Sequence, residues 1–159
     1  MTQPCNRVST VPLCYFCPAV PAQATIPPVI GEGLNLGWNA SAFSITRLSG
    51  DCYTAFNISL GAGIAIGLSN QRTATDPSTL EHGLLFQNIN GFQLLQVIER
   101  GVPIGLPQPA DPAARYRIER DRARVRFFMG SELIADRLAV TAASLVVVAC
   151  LYAVGDEVQ

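Results

Sequence analysis

The chain has 159 residues, enough for one domain with a real core. Hydrophobic residues make up 49% and charged residues 14%, which excludes a disordered chain, and a net charge of −1 excludes the global positive field that gathers nucleic acid. So few charges imply that part of the surface is covered by a partner.

Residues 1–35 read as an extended arm. Pro4, Pro12, Pro18, Pro21, Pro27 and Pro28 rule out a helix and a central strand, and the only charges are Arg7 and Glu32. A free arm would be polar, whereas this one carries Val11, Leu13, Tyr15, Phe16, Val20, Ile26, Val29 and Ile30. It therefore lies against something apolar, its own domain or a neighbouring subunit. A single Arg7 ahead of an apolar run broken by Pro12 and Pro18 argues against a secretory signal. Cys14 and Cys17 stand two residues apart, with Cys5 upstream. Three states fit this spacing: disulfides within or between chains, reduced thiols, or a zinc ion held by these cysteines with His82.

From residue 36 to the C-terminus the pattern is one of short strands separated by turn signals. "WNASAFSITRL" alternates, "SGD" turns the chain, and "CYTAFNISL" runs on. "GFQLLQVIERG" follows a turn over Asn88–Gly91, and "GLPQPADPA" reads as a loop. "ARYRIERD" and "ARVRFFM" alternate as a hairpin pair, and "GSELIADRL" continues after Gly130. The uncharged run 138–154, "LAVTAASLVVVACLYAV", falls short of the ~20 residues of a spanning helix and reads as a pair of buried strands. Period-2 segments at this spacing, with almost no helical periodicity, predict an all-β antiparallel sandwich or barrel.

"GAGIAIG", residues 61–67, lacks the spacing and the following helix of a dinucleotide-binding loop. As a strand it has a large face, Ile64 and Ile66, and a small face, Gly63, Ala65 and Gly67, over which another backbone can pass closely. "GAGIAIGLSN", "HGLLFQN" and "ARYRIERDRARVRFFMGSELI" together resemble the concanavalin A-like lectin/glucanase jelly roll, in the version found in bacteriophage tail and other virion proteins. Arg122 and Ala123 stand where that pattern has a glycine turn, and Met129 where it has asparagine. The resemblance covers residues 36–158. It implies an antiparallel jelly-roll sandwich (36–159) behind the arm (1–35), with no cofactor.

Six of the eleven arginines fall between Arg115 and Arg126. Alternation puts Arg115, Arg117 and Glu119 on one face of a strand, and Arg124 and Arg126 on one face of the next. If these strands pair, they form a ladder with Glu119 and Asp121 set into it. It would serve as a contact for an acidic surface or as a solvated face of offsetting pairs. No aromatics alternate with the arginines as a base-stacking platform requires, so nucleic acid is not an expected partner. A glycosidase needs two facing carboxylates, and the Glu-x-Asp-x-Glu strand pattern is absent. Glu132 and Asp136, four apart, would share a strand face. His82 reads as structural or exposed, and Cys52 and Cys150 as small core residues. Trp38, Tyr53 and Phe92 are the aromatic candidates for a sugar platform.

The resemblance and the arm together lead to the expectation of a bacteriophage virion structural protein in the tail, fibre, baseplate or capsid decoration. It would be assembled in the bacterial host and joined through its arm to copies of itself and to other virion proteins. The arm residues Val11, Leu13, Tyr15, Phe16, Ile26 and Val29 and the arginine ladder are the expected contacts. The alternatives are a glycan-binding adhesin module acting on host surface glycan and, less supported, a glycan-cleaving enzyme. No membrane span and no catalytic residue are expected.

Overall fold

A computed structural model describes residues 37–38, 40–44, 47–71, 76–121, 123–139, 144–153 and 155–159. Expectations resting on residues 1–36, including Cys5, Cys14, Cys17 and the apolar arm residues, lie outside the described residues.

Twelve strands follow in order: β1 Ala40–Phe43, β2 Cys52–Phe56, β3 Ile58–Ser59, β4 Gly63–Ser69, β5 His82–Ile89, β6 Phe92–Glu99, β7 Val102–Pro109, β8 Tyr116–Asp121, β9 Arg124–Met129, β10 Glu132–Leu138, β11 Val146–Leu151 and β12 Glu157–Val158. One short 3-10 turn, Pro77–Thr79, interrupts them, and no described helix is long and apolar enough to cross a membrane. The strands form a six-stranded sheet ordered β1-β11-β4-β5-β6-β7, a four-stranded sheet ordered β10-β9-β8-β2, and a small β12-β3 pair. All pairings are antiparallel. This is the expected jelly-roll sandwich.

Burial explains which strands showed a period of two. β2 and β8 alternate between buried and half-buried positions, so one face meets the core and the other meets solvent. β4 and β11 are buried at every position, which erases alternation and leaves a continuous apolar run. β11 is the one described strand wholly within the 138–154 run, where a pair was expected; Leu138 closes β10. "CYTAFNISL" is also not one strand. At Asn57 the chain leaves the four-stranded sheet, exchanging backbone hydrogen bonds with Gln159, and β3 pairs with β12 instead.

The core lies between the two large sheets. Ile64, Ile66, Leu84, Phe86, Leu95 and Ala149 of the six-stranded sheet meet Phe56, Tyr116, Ile118 and Phe127 of the other. Phe86 packs edge-on to Tyr116 with centroids 4.7 Å apart, and Phe56 stacks on Tyr116 at 6.0 Å. The Tyr116 hydroxyl donates to the Asp111 carbonyl (2.8 Å), and burial pushes its pKa up to about 12.

The hairpin β5–β6 turns at Asn90–Gly91, with φ of 54° and 86°, as a two-residue turn of the primed type requires. "GLPQPADPA" is a correction: residues 102–109 form β7, at the edge of the six-stranded sheet. Proline is excluded from central strands because it cannot donate to the ladder, but it is tolerated at an edge, where it also blocks pairing with a further strand.

Candidate functional site

The arginine ladder forms in part: Arg117, Glu119, Arg124 and Arg126 share one sheet face, while β8 begins only after Arg115. β8 pairs with β9 so that Glu119 faces Arg126 and Arg117 faces Phe128. Across β10 and β2 the row extends to Tyr53–Glu119–Arg126–Asp136. Arg124 Nε donates to Asp136 Oδ1 at 2.7 Å. That hydrogen bond pulls the Asp136 carboxyl below the usual carboxylate range and raises Arg124. Arg126 lies 3.4 Å from Asp121, 3.7 Å from Glu119 and 3.8 Å from Asp136, and Arg117 lies 3.5 Å from Glu119. The Arg117 guanidinium also sits over the Phe128 ring, 4.2 Å from its centroid.

Three arginines and three carboxylates thus offset one another across a half-exposed sheet face. Its field is short-ranged, and its exposed pairs each contribute little to stability. Arg115 lies exposed just before β8, outside these pairs. Glu132 and Asp136 do not share a face. A register shift between Leu133 and Ala135 sets Glu132 opposite Met129, which packs on the core, and Asp136 opposite Arg126 in the charged row.

Arg120 behaves differently from its neighbours. It is buried, one of the inward positions of β8, at the end of the sandwich where His82 is also buried. Desolvation lowers the His82 pKa; Glu99 and Glu81 oppose this, and Arg120 and Arg100 reinforce it. The imidazole is held neutral and enclosed, which fits a structural residue.

The three aromatic candidates do not converge. Trp38 is half-buried and edge-on to Tyr152, with centroids 5.3 Å apart, on the outer side of the six-stranded sheet. Tyr53 lies on the outer face of the other sheet beside Glu119. Phe92, at the β5–β6 turn, is 72% exposed. Cys52 and Cys150 are both buried, and burial pushes the Cys150 thiol up to about 12. Among the described residues no group of three His, Cys, Asp or Glu side chains is placed to hold a metal ion.

The glycine stretch has a role that the sequence did not disclose. The Asp156 carboxylate is buried and collects five backbone N–H groups. Oδ1 accepts from Gly61 (2.8 Å), Ala62 (2.8 Å) and Gly63 (3.2 Å). Oδ2 accepts from Gly63 (3.1 Å), Tyr152 (3.2 Å) and Ala153 (2.8 Å). The carboxylate clasps the β3–β4 loop to the β11–β12 turn. A Cβ on Gly61 would lie 3.2 Å from Oδ1, and one on Gly63 would lie 3.1 Å from the Tyr152 Cβ, so small residues let the loop close on the carboxylate. The only sequence signal was the glycine spacing; the partner lies more than 90 residues away.

Exposed large apolar side chains among the described residues lie on β1 (Phe43), on β10 (Leu133 and Leu138) and on the β5–β7 strands. Ile89 and Phe92 face each other across the β5–β6 turn, and Val102 (60% exposed) and Leu106 (90%) lie on β7.

No protein-family model matches the chain, and no curated protein matches it in sequence. Solved structures do resemble it. The TRIM65 PSpry domain superposes with a TM-score of 0.56 at 15% identity, covering 75% of this chain and 69% of that one. Stonustoxin superposes with a TM-score of 0.54 at 9% identity, covering 74% of this chain and 21% of that one. The carbohydrate-binding module CBM66 from Bacillus subtilis gives 0.46 at 15% identity, covering 76% and 80%. The likeness concerns the fold, which is the concanavalin A-like jelly roll.

Proposed function

We propose that this jelly roll is a non-catalytic contact module, a structural part of a bacteriophage virion that binds neighbouring proteins through its outward surfaces. The carrying observation is the pair of exposed apolar side chains on the edge strand β7, Val102 and Leu106, with Phe92 exposed at the β5–β6 turn. Large apolar side chains grouped at a surface mark sites of protein contact. The prolines of β7 favour side-chain packing over strand addition at that edge. The virion setting is supported by the strand motifs of residues 61–70 and 115–134. The absence of enzymatic activity is part of the same proposal. Its support is that the carboxylates Glu119, Asp121 and Asp136 are each engaged by an arginine within 4 Å.

The test is native mass spectrometry and particle incorporation of the full chain beside Phe92→Ser/Leu106→Ser. A defined assembly lost in the double variant, with the fold intact, supports the proposal. An assembly indifferent to both changes refutes it. A second reading, glycan binding, is favoured by the exposure of Phe92 at an Asn-Gly turn, and saturable binding of host polysaccharide lost in Phe92→Ala would establish it.

A further inference from the structure

The turn between β5 and β6 brings together two groups able to react with each other. Asn90 is followed by Gly91, the chain's one Asn-Gly pair, and both residues are exposed. A side-chain amide carbon stands one residue ahead of a backbone nitrogen, and glycine has no Cβ to shield that nitrogen. Ile89 pairs with Phe92, so the two residues between them are the whole loop and lie outside the ladder. The Gly91 N–H donates instead to a side chain, Asn88 Oδ1 (3.1 Å). The Asn88 amide is fixed at its other end, where Nδ2 donates to the Gly61 carbonyl (3.2 Å). The Asn88 N–H adds a bond to the Ala62 carbonyl (2.9 Å). The nitrogen that would attack Asn90 is thus held by a residue anchored on the β3–β4 loop.

We infer that Asn90 is a site of spontaneous deamidation and that Asn88 is the positioning residue that restrains the reaction in the folded chain. The Gly91 nitrogen gives its proton to hydroxide and bonds to Asn90 Cγ. The Cγ–Nδ2 bond breaks, and ammonia leaves with a proton from water. The five-membered succinimide then takes up water, and opening of one or the other of its two C–N bonds gives aspartate or isoaspartate. Asn88 opposes the first step in two ways. Its amide oxygen covers the proton that hydroxide must reach, and is itself too weak a base to take it. Its hydrogen bond also holds the peptide plane, with Asn90 and Gly91 at φ of 54° and 86°, against the rotation that carries the nitrogen to Cγ. The two products differ in consequence. Aspartate suits the same primed turn. Isoaspartate adds a carbon to the main chain and spoils the fit of a two-residue loop to the Ile89–Phe92 pair. Either one places a carboxylate at the turn, next to the exposed Phe92. This inference does not rest on the contact role proposed above.

The test keeps the full chain folded in mildly alkaline buffer beside the same chain unfolded in guanidinium chloride. Conversion at Asn90 is followed by peptide mass spectrometry, with the isoaspartyl peptide separated by chromatography. Asn88→Ala is treated alike, with circular dichroism reporting the fold and NMR reporting hydrogen exchange at the Gly91 amide, which a merely structural role of Asn88 would not move. Asn90 should convert in the unfolded chain and more slowly in the folded parent. Asn88→Ala should raise both the folded rate of conversion and the Gly91 exchange rate by about two- to tenfold, the effect of one lost hydrogen bond. If Asn88→Ala loses the fold, Asn88→Val, a stronger strand former, takes its place. No conversion of Asn90 in the unfolded chain, a folded parent as fast as the unfolded chain, or unchanged rates in a folded Asn88 variant overturns the inference.

Discussion

Replacing Asp156 by alanine removes an acceptor shared by five backbone N–H groups. The Tyr152 N–H keeps a second partner, the Gly63 carbonyl at 2.9 Å, so four donors lose theirs. Of these the Gly63 N–H bond is buried, and those of Gly61, Ala62 and Ala153 are partly buried and can recruit water. A hydrogen bond to a charged group contributes about 1.5–3 kcal/mol, but re-solvation at the partly buried donors offsets much of the loss, so the expected cost is about 3–5 kcal/mol. A domain with about 5–15 kcal/mol in total would lose a large share of its stability. Asp156→Asn keeps the shape but turns an NH₂ group toward N–H donors, and should cost about 2 kcal/mol or more. Urea unfolding with unchanged slope measures both, and the melting temperature should fall by about 2–4 °C per kcal/mol. If both variants unfold within about 0.5 kcal/mol of the parent, the clasp is not a stabilising element and the account of Gly61 and Gly63 fails with it.

The pH dependence of stability should carry the mark of His82. Its folded pKa lies below the unfolded value of about 6.5, so the unfolded state binds the extra proton, and stability present above that pH is lost as the pH falls toward the folded pKa. His82→Gln should flatten this slope in urea titrations, and an unchanged slope would assign it elsewhere. Gly67→Ala places a Cβ against the His82 carbonyl oxygen and 2.6 Å from the Gly83 Cα, all of it backbone. The variant should be destabilised by about 3 kcal/mol or more, or recovered only as insoluble protein; normal melting would show that the β4–β5 pairing can move apart. Arg124→Ala should leave the unfolding midpoint where it is and make it less sensitive to salt, because its pair is solvent-exposed.

What could be read in the sequence and what could not divide by the range of the interactions. The β8–β9 hairpin was legible because each of its strands exposes one face, so Arg117, Glu119, Arg124 and Arg126 alternate with Ile118, Val125 and Phe127 within a few residues of one another. The β5–β6 turn was legible for the same reason, since Asn90 and Gly91 carry their own backbone preference. β7 was missed because proline weighs against strands in general, while its tolerance at an edge depends on sheet order, which no local window contains. The shift that separates Glu132 from Asp136 arises in the pairing of β10 with β9 and leaves no mark in spacing.

Asp156 was hidden most completely. Its five donors are main-chain groups that any residue but proline supplies; Tyr152 and Ala153 are local, and Gly61, Ala62 and Gly63 are brought to it by the closing of the sandwich. The same closing decides what is left for function. The carboxylates of the ladder are taken up by arginines, the lone histidine and both described cysteines are enclosed, and Asp156 is spent on the clasp. Among the described residues, the large apolar side chains still turned outward include Phe92 at the β5–β6 turn, Val102 and Leu106 on β7, and Leu133 and Leu138 on β10. Apolar side chains of that kind gain free energy by being covered, and the proposed contact role rests on this.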